Sequence, residues 1–246
     1  MEKFIAVSQV SQQILKSAKL SADLPVNTLI YGQNGVGKKL LAREILPNAL
    51  LMNGGDLEKL IISKQIDLNS YQSIIIENIN DILNIEEFFN YFKNIKIVGT
   101  NTDKNDKFTQ FFAIKIEIPP LRERVEDLEK IIEVYKKEAM SIYNTNVSIK
   151  NIEIDLSENG ITLKQSIYKS ILLQSINTKD MLQTMENYLF KKLEDGSTYR
   201  DLIEIFEIPL LKAAKRIYKS QLQMAEKLEI NRITLRKKIH QYFGEL

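Results

Sequence analysis

Cysteine is absent from this 246-residue chain, and histidine occurs once, at His240. Those absences exclude a disulfide framework, a zinc-finger module, and cysteine or histidine nucleophiles, and His240 itself reads as a solvated surface residue. No stretch approaches the ~18 consecutive apolar residues that a membrane span requires. The segment Met1 to Lys16 is amphipathic and lacks the apolar core of a secretion signal, so a cytoplasmic protein without a membrane partner is expected. Low-complexity linkers and internal repeats are also missing. What remains, 44% hydrophobic and 27% charged residues, is the composition of an ordinary globular protein long enough for two or three packed units.

Charge is unevenly placed. Between Pro209 and Leu246 there are nine Lys or Arg (212, 215, 216, 219, 227, 232, 236, 237, 238) against three Glu (226, 229, 245), a net +6; with +2 for the whole chain, −4 is left elsewhere. A basic module on a mildly acidic body suits a polyanion at one end, although a solvated helix face explains charge alone equally well.

Periodicity organises the rest. Phe4–Ser21 has apolar residues at helical spacing and precedes a β-type run at Asn27–Tyr31. A glycine-rich turn follows, then a helical pattern from Lys38, β-type runs at Ser73–Ile76 and Ile95–Gly99, and an edge strand at Ile114–Ile118 ended by Pro119 and Pro120. Strands alternating with helices imply a parallel sheet covered by helices. From Leu121 onward the pattern is helical, with breaks expected near Asn144–Asn151, Ser157–Gly160, Glu194–Thr198 and at Pro209. The expected division is an α/β core over 1–118, a helical lid over 119–174 and an all-α unit over 175–246.

The turn carries Gly32, Gly35, Gly37 and Lys38 between a strand and a helix. That setting lets backbone N–H groups face a phosphate while the lysine reaches the outer oxygens. With Val7, Ser8 and Gln9, Thr28 to Gly32, and Gly35 to Lys38, the opening of the chain resembles the AAA+ domain of sigma-54 activators of the NtrC family. Ile118 to Leu128, reading Ile-Pro-Pro-Leu-Arg-Glu-Arg-Val-Glu-Asp-Leu, is similar to that family's signature at the entry to its lid. The resemblance implies an AAA+-like parallel-sheet domain, with Gly32, Gly35, Gly37, Lys38, Lys39 and Glu77 as nucleotide-binding candidates. It implies no obligatory cofactor, with ATP or ADP possible.

Departures from that pattern bear on mechanism. Lys39 stands where the family carries glutamate and other P-loop proteins a hydroxyl that holds magnesium. Glu77 occupies the place of the magnesium-associated aspartate and Asn78 that of the water-activating glutamate; an amide cannot act as a general base. Thr100 and Asn101 keep the polar character of the first sensor. Lys107–Ile118 contains no arginine finger, and Thr162 takes the place of the second-sensor arginine. Nothing between Lys38 and Ser73 resembles the loop that contacts sigma-54. The implied state is a degenerate AAA+ scaffold deficient in hydrolysis and without a catalytic residue. Arg122 and Arg124 are read either as a core-to-lid tie or as surface ion-pair residues.

Ser220–Phe243 reads as helix, turn, helix: Ser220 caps Gln221–Leu228, Asn231 caps Arg232–Tyr242, and Leu235 and Ile239 face inward. An exposed helix with Arg and Lys near its start suits the major groove. Glu207 to Leu211, Ile230 to Ile239, and upstream Glu186 to Tyr188 and Tyr199 to Glu204 are similar to the Fis family. Carried over by position, that likeness implies DNA contacts at Asn231, Arg232, Thr234, Arg236 and Lys237, with Gln221 on the first helix and Lys238 beside them. It also implies a homodimer, through stripes at Met181, Met185, Tyr188, Leu189 and at Leu202, Ile203, Ile205, Phe206, either of which could instead be internal core. Glu229 departs from the glycine normal in that turn. The reading that emerges is a sequence-specific, nucleoid-associated transcription regulator binding duplex DNA, in possible contact with RNA polymerase or another regulator. An active ATPase that remodels a partner and a Fis-like architectural DNA-bending protein remain as alternatives.

Overall fold

A computed structural model describes residues 3–92, 94–103, 106–145 and 152–244. The chain forms two compact units, Met1–Ser175 and Ile176–Leu246.

The first unit is built on a five-stranded, all-parallel sheet in the order β2-β3-β4-β1-β5, formed by β1 (Thr28–Tyr31), β2 (Leu50–Asn53), β3 (Ser73–Glu77), β4 (Lys96–Asn101) and β5 (Ile114–Glu117). Parallel strands need crossover connections that put helices on both faces, which is why these runs are continuously apolar. Period-two alternation then assigns neighbours to opposite cores. Ile30, Ile75, Val98 and Ile116 pack under α1 (Gln9–Ala22) and α2 (Lys38–Ile45). Leu29, Ile74, Ile76 and Ile97 pack with α3 (Gly54–Ile62), α4 (Ile85–Asn90) and the phenylalanines around α5 (Asp106–Thr109). Two long helices, α6 (Val125–Ile142) and α7 (Gly160–Ser175), close on each other through Leu121, Ala139, Leu163, Ile167 and Ile171 and form a lid.

Several expectations are corrected. The N-terminal helix starts at Gln9, not Phe4, because Ser8 in extended conformation caps it by accepting from the Ser11 amide. The residues before it belong to no helix, and Phe4 is buried against the glycine turn. Strand β2 and helix α3 lie between the helical pattern from Lys38 and the run at Ser73, where periodicity assigns no strand. β2 is a half-buried edge strand, so burial imposes neither strict alternation nor a full apolar run. Of the break expected at Asn144–Asn151, residues 146–151 lie outside the described residues.

The second unit contains α8 (Thr178–Glu194), α9 (Tyr199–Ile217), α10 (Gln221–Lys227) and α11 (Arg232–Phe243). The break before α9 is made by Gly196 at φ 87° and a capping box in which Thr198 and Asp201 satisfy each other's backbone donors. Pro209 does not break its helix: α9 runs through it, with the ring on an exposed face where the carbonyl deprived of a partner can be hydrated. Leu211 and Ala214 of α9, Met224 and Ala225 of α10, and Leu235 and Ile239 of α11 form the unit's core. α8 buries no residue; Met181, Leu182, Tyr188 and Phe190 are exposed along it.

Candidate functional site

Strand β1 delivers the chain to the glycine turn at the carboxyl edge of the sheet, where the order reverses between β4 and β5. In open α/β sheets such an edge is where ligands bind. Gly35 has φ 73°, and a Cβ there would stand 2.1 Å from the Glu158 carbonyl oxygen, so only glycine lets the turn meet the lid this closely. The lid reciprocates: the Gly160 amide donates to the Gly35 carbonyl at 3.0 Å. Asn159, 2% exposed, donates to the Asn34 carbonyl at 2.9 Å and accepts from the Leu121 amide at 2.8 Å.

Lys38 opens α2 and curls over the turn, donating to the carbonyls of Gly32 at 2.6 Å and Gln33 at 2.9 Å. Burial lowers its pKa below the ordinary lysine value, and nearby Glu77 opposes that effect. One residue on, Lys39 pairs with Glu77 at 3.1 Å. Asn78 follows in the left-handed region at φ 51° and is exposed. These groups border a cleft of about 530 Å³ shared with Thr100, Tyr135, Lys164 and Gln165. It adjoins a mostly apolar cavity of about 540 Å³ lined by Phe4, Ile5, Leu40, Val134 and Tyr135. The two share Gly35, Gly37, Tyr135 and Gly160. A polar half beside the glycine turn and an apolar half beside it give room for a phosphorylated ligand with a flat, apolar end. Thr162 points its hydroxyl away from this role: it donates to the Asp155 carbonyl at 3.1 Å and accepts from the Glu158 amide at 3.0 Å, starting α7.

The lid signature resolves into a buried clamp. Arg124 is 1% exposed, so the surface ion-pair reading does not hold. Its guanidinium donates to the Pro119 carbonyl at 3.1 Å, the Val36 carbonyl at 3.0 Å, Ser11 Oγ at 3.1 Å and Asp127 Oδ2 at 3.4 Å. Asp127, wholly buried, accepts from the Val7 and Ser8 amides at 2.6 and 2.7 Å and from the Ser8 and Ser11 hydroxyls. Burial alone would raise its carboxyl, but the donors on Ser11, Ser8 and Val7 outweigh that and hold it below the usual carboxylate range. The glycine turn, the N-terminal segment and the lid are thus joined through one ion pair. Sequence reasoning gave no role to Ser11 and took in Ser8, Asp127 and Asn159 only as members of longer segments. The i,i+3 spacing of Arg124 and Asp127 inside the signature was the available signal.

In the second unit the candidate nucleic-acid residues gather on α11 and the start of α10. Asn231 caps α11 by accepting from the Ile233 amide at 2.8 Å, and Ser220 caps α10 by accepting from the Gln223 amide at 3.2 Å. Because Leu235 and Ile239 point inward, Arg232, Thr234, Arg236 and Lys237 stand exposed. Gln221, Arg232, Arg236 and His240 line one groove. Lys238 is the exception among the residues named from sequence: it is an internal partner of Glu207, which also accepts from the Tyr242 hydroxyl at 2.6 Å. Those two donors, Lys238 first, pull Glu207 below the usual carboxylate range, and the same contact pushes Tyr242 up to about 12. Glu229 occupies the turn at φ 54°, the conformation for which glycine is suited.

No protein-family model matches the chain, and no curated protein matches it. Solved structures do. NtrX from Brucella abortus in complex with ATP is 14% identical with a TM-score of 0.56, covering 98% of this chain and 69% of that one. Its ADP complex is 13% identical with a TM-score of 0.55, covering 97% and 69%. A further NtrX structure from the same organism is 15% identical with a TM-score of 0.52, covering 96% and 68%. At these identities the likeness defines fold: the five-stranded parallel sheet with its helices is an AAA+-like domain. Among the described residues no helix is long and apolar enough to cross a membrane.

Proposed function

We propose that this protein is a sequence-specific DNA-binding transcription regulator whose AAA+-like unit binds a nucleotide without turning it over efficiently. The observation that carries the DNA-binding reading is α11, whose core residues Leu235 and Ile239 hold Arg232, Thr234, Arg236 and Lys237 out to solvent on a capped helix following a tight turn. An exposed, capped basic helix after a tight turn suits the recognition helix of a helix-turn-helix, with Arg able to take guanine edges bidentately and Lys to neutralise phosphate. The Fis-like resemblance adds a homodimer with two such helices about one helical turn apart. The unburied apolar face of α8 supports that assembly.

For the first unit, the joined polar and apolar cavities favour ATP or ADP as ligand, and the solved complexes of NtrX with ATP and ADP agree with that choice. Asn78 at the water-activating position cannot take a proton, which argues against rapid hydrolysis. Helix α3 runs unbroken from Gly54 to Ile62 in the stretch where sigma-54 activators insert their contact loop, so regulation by contact or occlusion fits better than polymerase remodelling.

Genome-wide immunoprecipitation of wild type and of Arg232→Ala/Arg236→Ala tests the proposal. Discrete peaks sharing a two-fold symmetric motif and lost in the variant are expected. Broad occupancy sensitive to the variant would replace this reading with an architectural one, and occupancy indifferent to it would overturn the DNA interface.

A further inference from the structure

Lys39 and Glu77 meet where P-loop nucleotide-hydrolysing folds hold magnesium. In those folds a hydroxyl directly after the phosphate lysine and an acidic residue from a neighbouring strand grip the ion, which bridges the outer phosphates. Here the first turn of α2 supplies Lys39, the last residue of β3 supplies Glu77, and the ammonium lies 3.1 Å from the carboxylate. Magnesium demands a near-octahedral shell of oxygens and gives up its waters reluctantly. Lys39 offers no oxygen, and its charge sits against the carboxylate that would otherwise take the metal. Among the described residues no group of three or more His, Asp or Glu side chains is placed to hold a metal ion. The residues present do not fit magnesium.

We propose that the Lys39 ammonium, tethered by Glu77, stands in for the divalent cation, so that this cleft binds a nucleoside polyphosphate without magnesium. The inference rests on the nucleotide-binding reading above. An ammonium has three N–H donors; with one on Glu77, two can be offered to phosphate oxygens from the rim of the cleft that Lys39 shares with Lys38. Glu77 thereby changes role: it holds a tethered cation in place and binds no metal. A magnesium-loaded nucleotide would bring a second cation against Lys39 and gain nothing from it.

Titration of the full chain with fluorescent N-methylanthraniloyl-ADP, in EDTA and in excess magnesium chloride, tests this. Wild type should bind in EDTA at least as tightly as in magnesium. Lys39→Ser should weaken binding in EDTA by roughly tenfold or more, the scale of one lost charge-assisted contact, and should raise the affinity ratio of magnesium to EDTA. Lys39→Arg should keep the wild-type ratio. The Lys39 side chain is 57% exposed, so these variants leave the fold intact, and an unchanged melting temperature verifies that. Wild-type binding that requires magnesium, or a Lys39→Ser ratio equal to wild type, overturns the tethered-cation proposal and leaves nucleotide binding standing. Absence of binding in both buffers overturns both.

Discussion

Replacing Asp127 by Asn is the most direct probe of how the first unit is held together. The change keeps a side-chain oxygen for the amides of Val7 and Ser8 but removes the negative charge beside Arg124, which is 1% exposed. A buried cation left without its anion costs about 3–5 kcal/mol, because solvation lost on folding is no longer offset. For a unit of this size each kcal/mol lowers the melting temperature by roughly 2–4 °C, so a fall of roughly 6–20 °C is expected. Calorimetry, or urea unfolding followed by circular dichroism, reads the loss. Arg124→Met/Asp127→Asn removes both charges and should be more stable than Asp127→Asn alone. A double variant that loses as much as the two single losses together would refute the ion-pair reasoning, as would a single loss below about 1 kcal/mol. The pH dependence has a defined sign. The folded Asp127 carboxyl lies below its ordinary value, so its contribution is complete above the unfolded carboxylate range near ~3.9 and disappears as pH falls through the depressed folded value. The stability gap between wild type and Asp127→Asn should therefore be constant near neutrality and close only in strong acid.

Three further outcomes follow from the same contacts. Glu229→Gly should raise the unfolding free energy of the second unit by roughly 0.5–1 kcal/mol by relieving a left-handed backbone, read by urea denaturation, and should tighten DNA binding by removing a negative charge beside the phosphates. In filter-binding or anisotropy titrations over a salt series, Lys237→Ala should flatten the slope of log affinity against log salt by about 1, whereas Lys238→Ala should leave that slope unchanged and lower stability, since Lys238 is engaged by Glu207. Gly35→Ala should destabilise the first unit by about 2 kcal/mol or more, because the added Cβ meets the Glu158 carbonyl at a positive φ, and hydrogen exchange should show the lid's amides opening first; exchange indifferent to the change would deny the contact between turn and lid.

Much of this architecture was legible from local pattern. The strands at β1, β3, β4 and β5, the start of α2, and the caps at Ser220 and Asn231 follow from period, apolar content and capping chemistry, all of which act between residues close in sequence. The glycine turn announced itself for the same reason: its conformations are a property of the turn. What was not legible depended on distant partners. Phe4 looks helical by spacing, but it leaves α1 to bury itself against Gly37, more than thirty residues on in the sequence. Pro209 reads as a breaker, and only its exposed position lets α9 continue. Arg124 and Lys238 look like any surface cation in a charged stretch. The first is buried because Val36, Ser11 and Asp127 converge on it, and the second is taken out of the basic face by Glu207. Sequence by itself determined most of the strands and helices and which side chains carry the chemistry to meet phosphate or DNA, since those are local preferences. The tertiary structure alone decided which of those charges remain exposed to act on a ligand, because burial and pairing are settled only when remote segments pack.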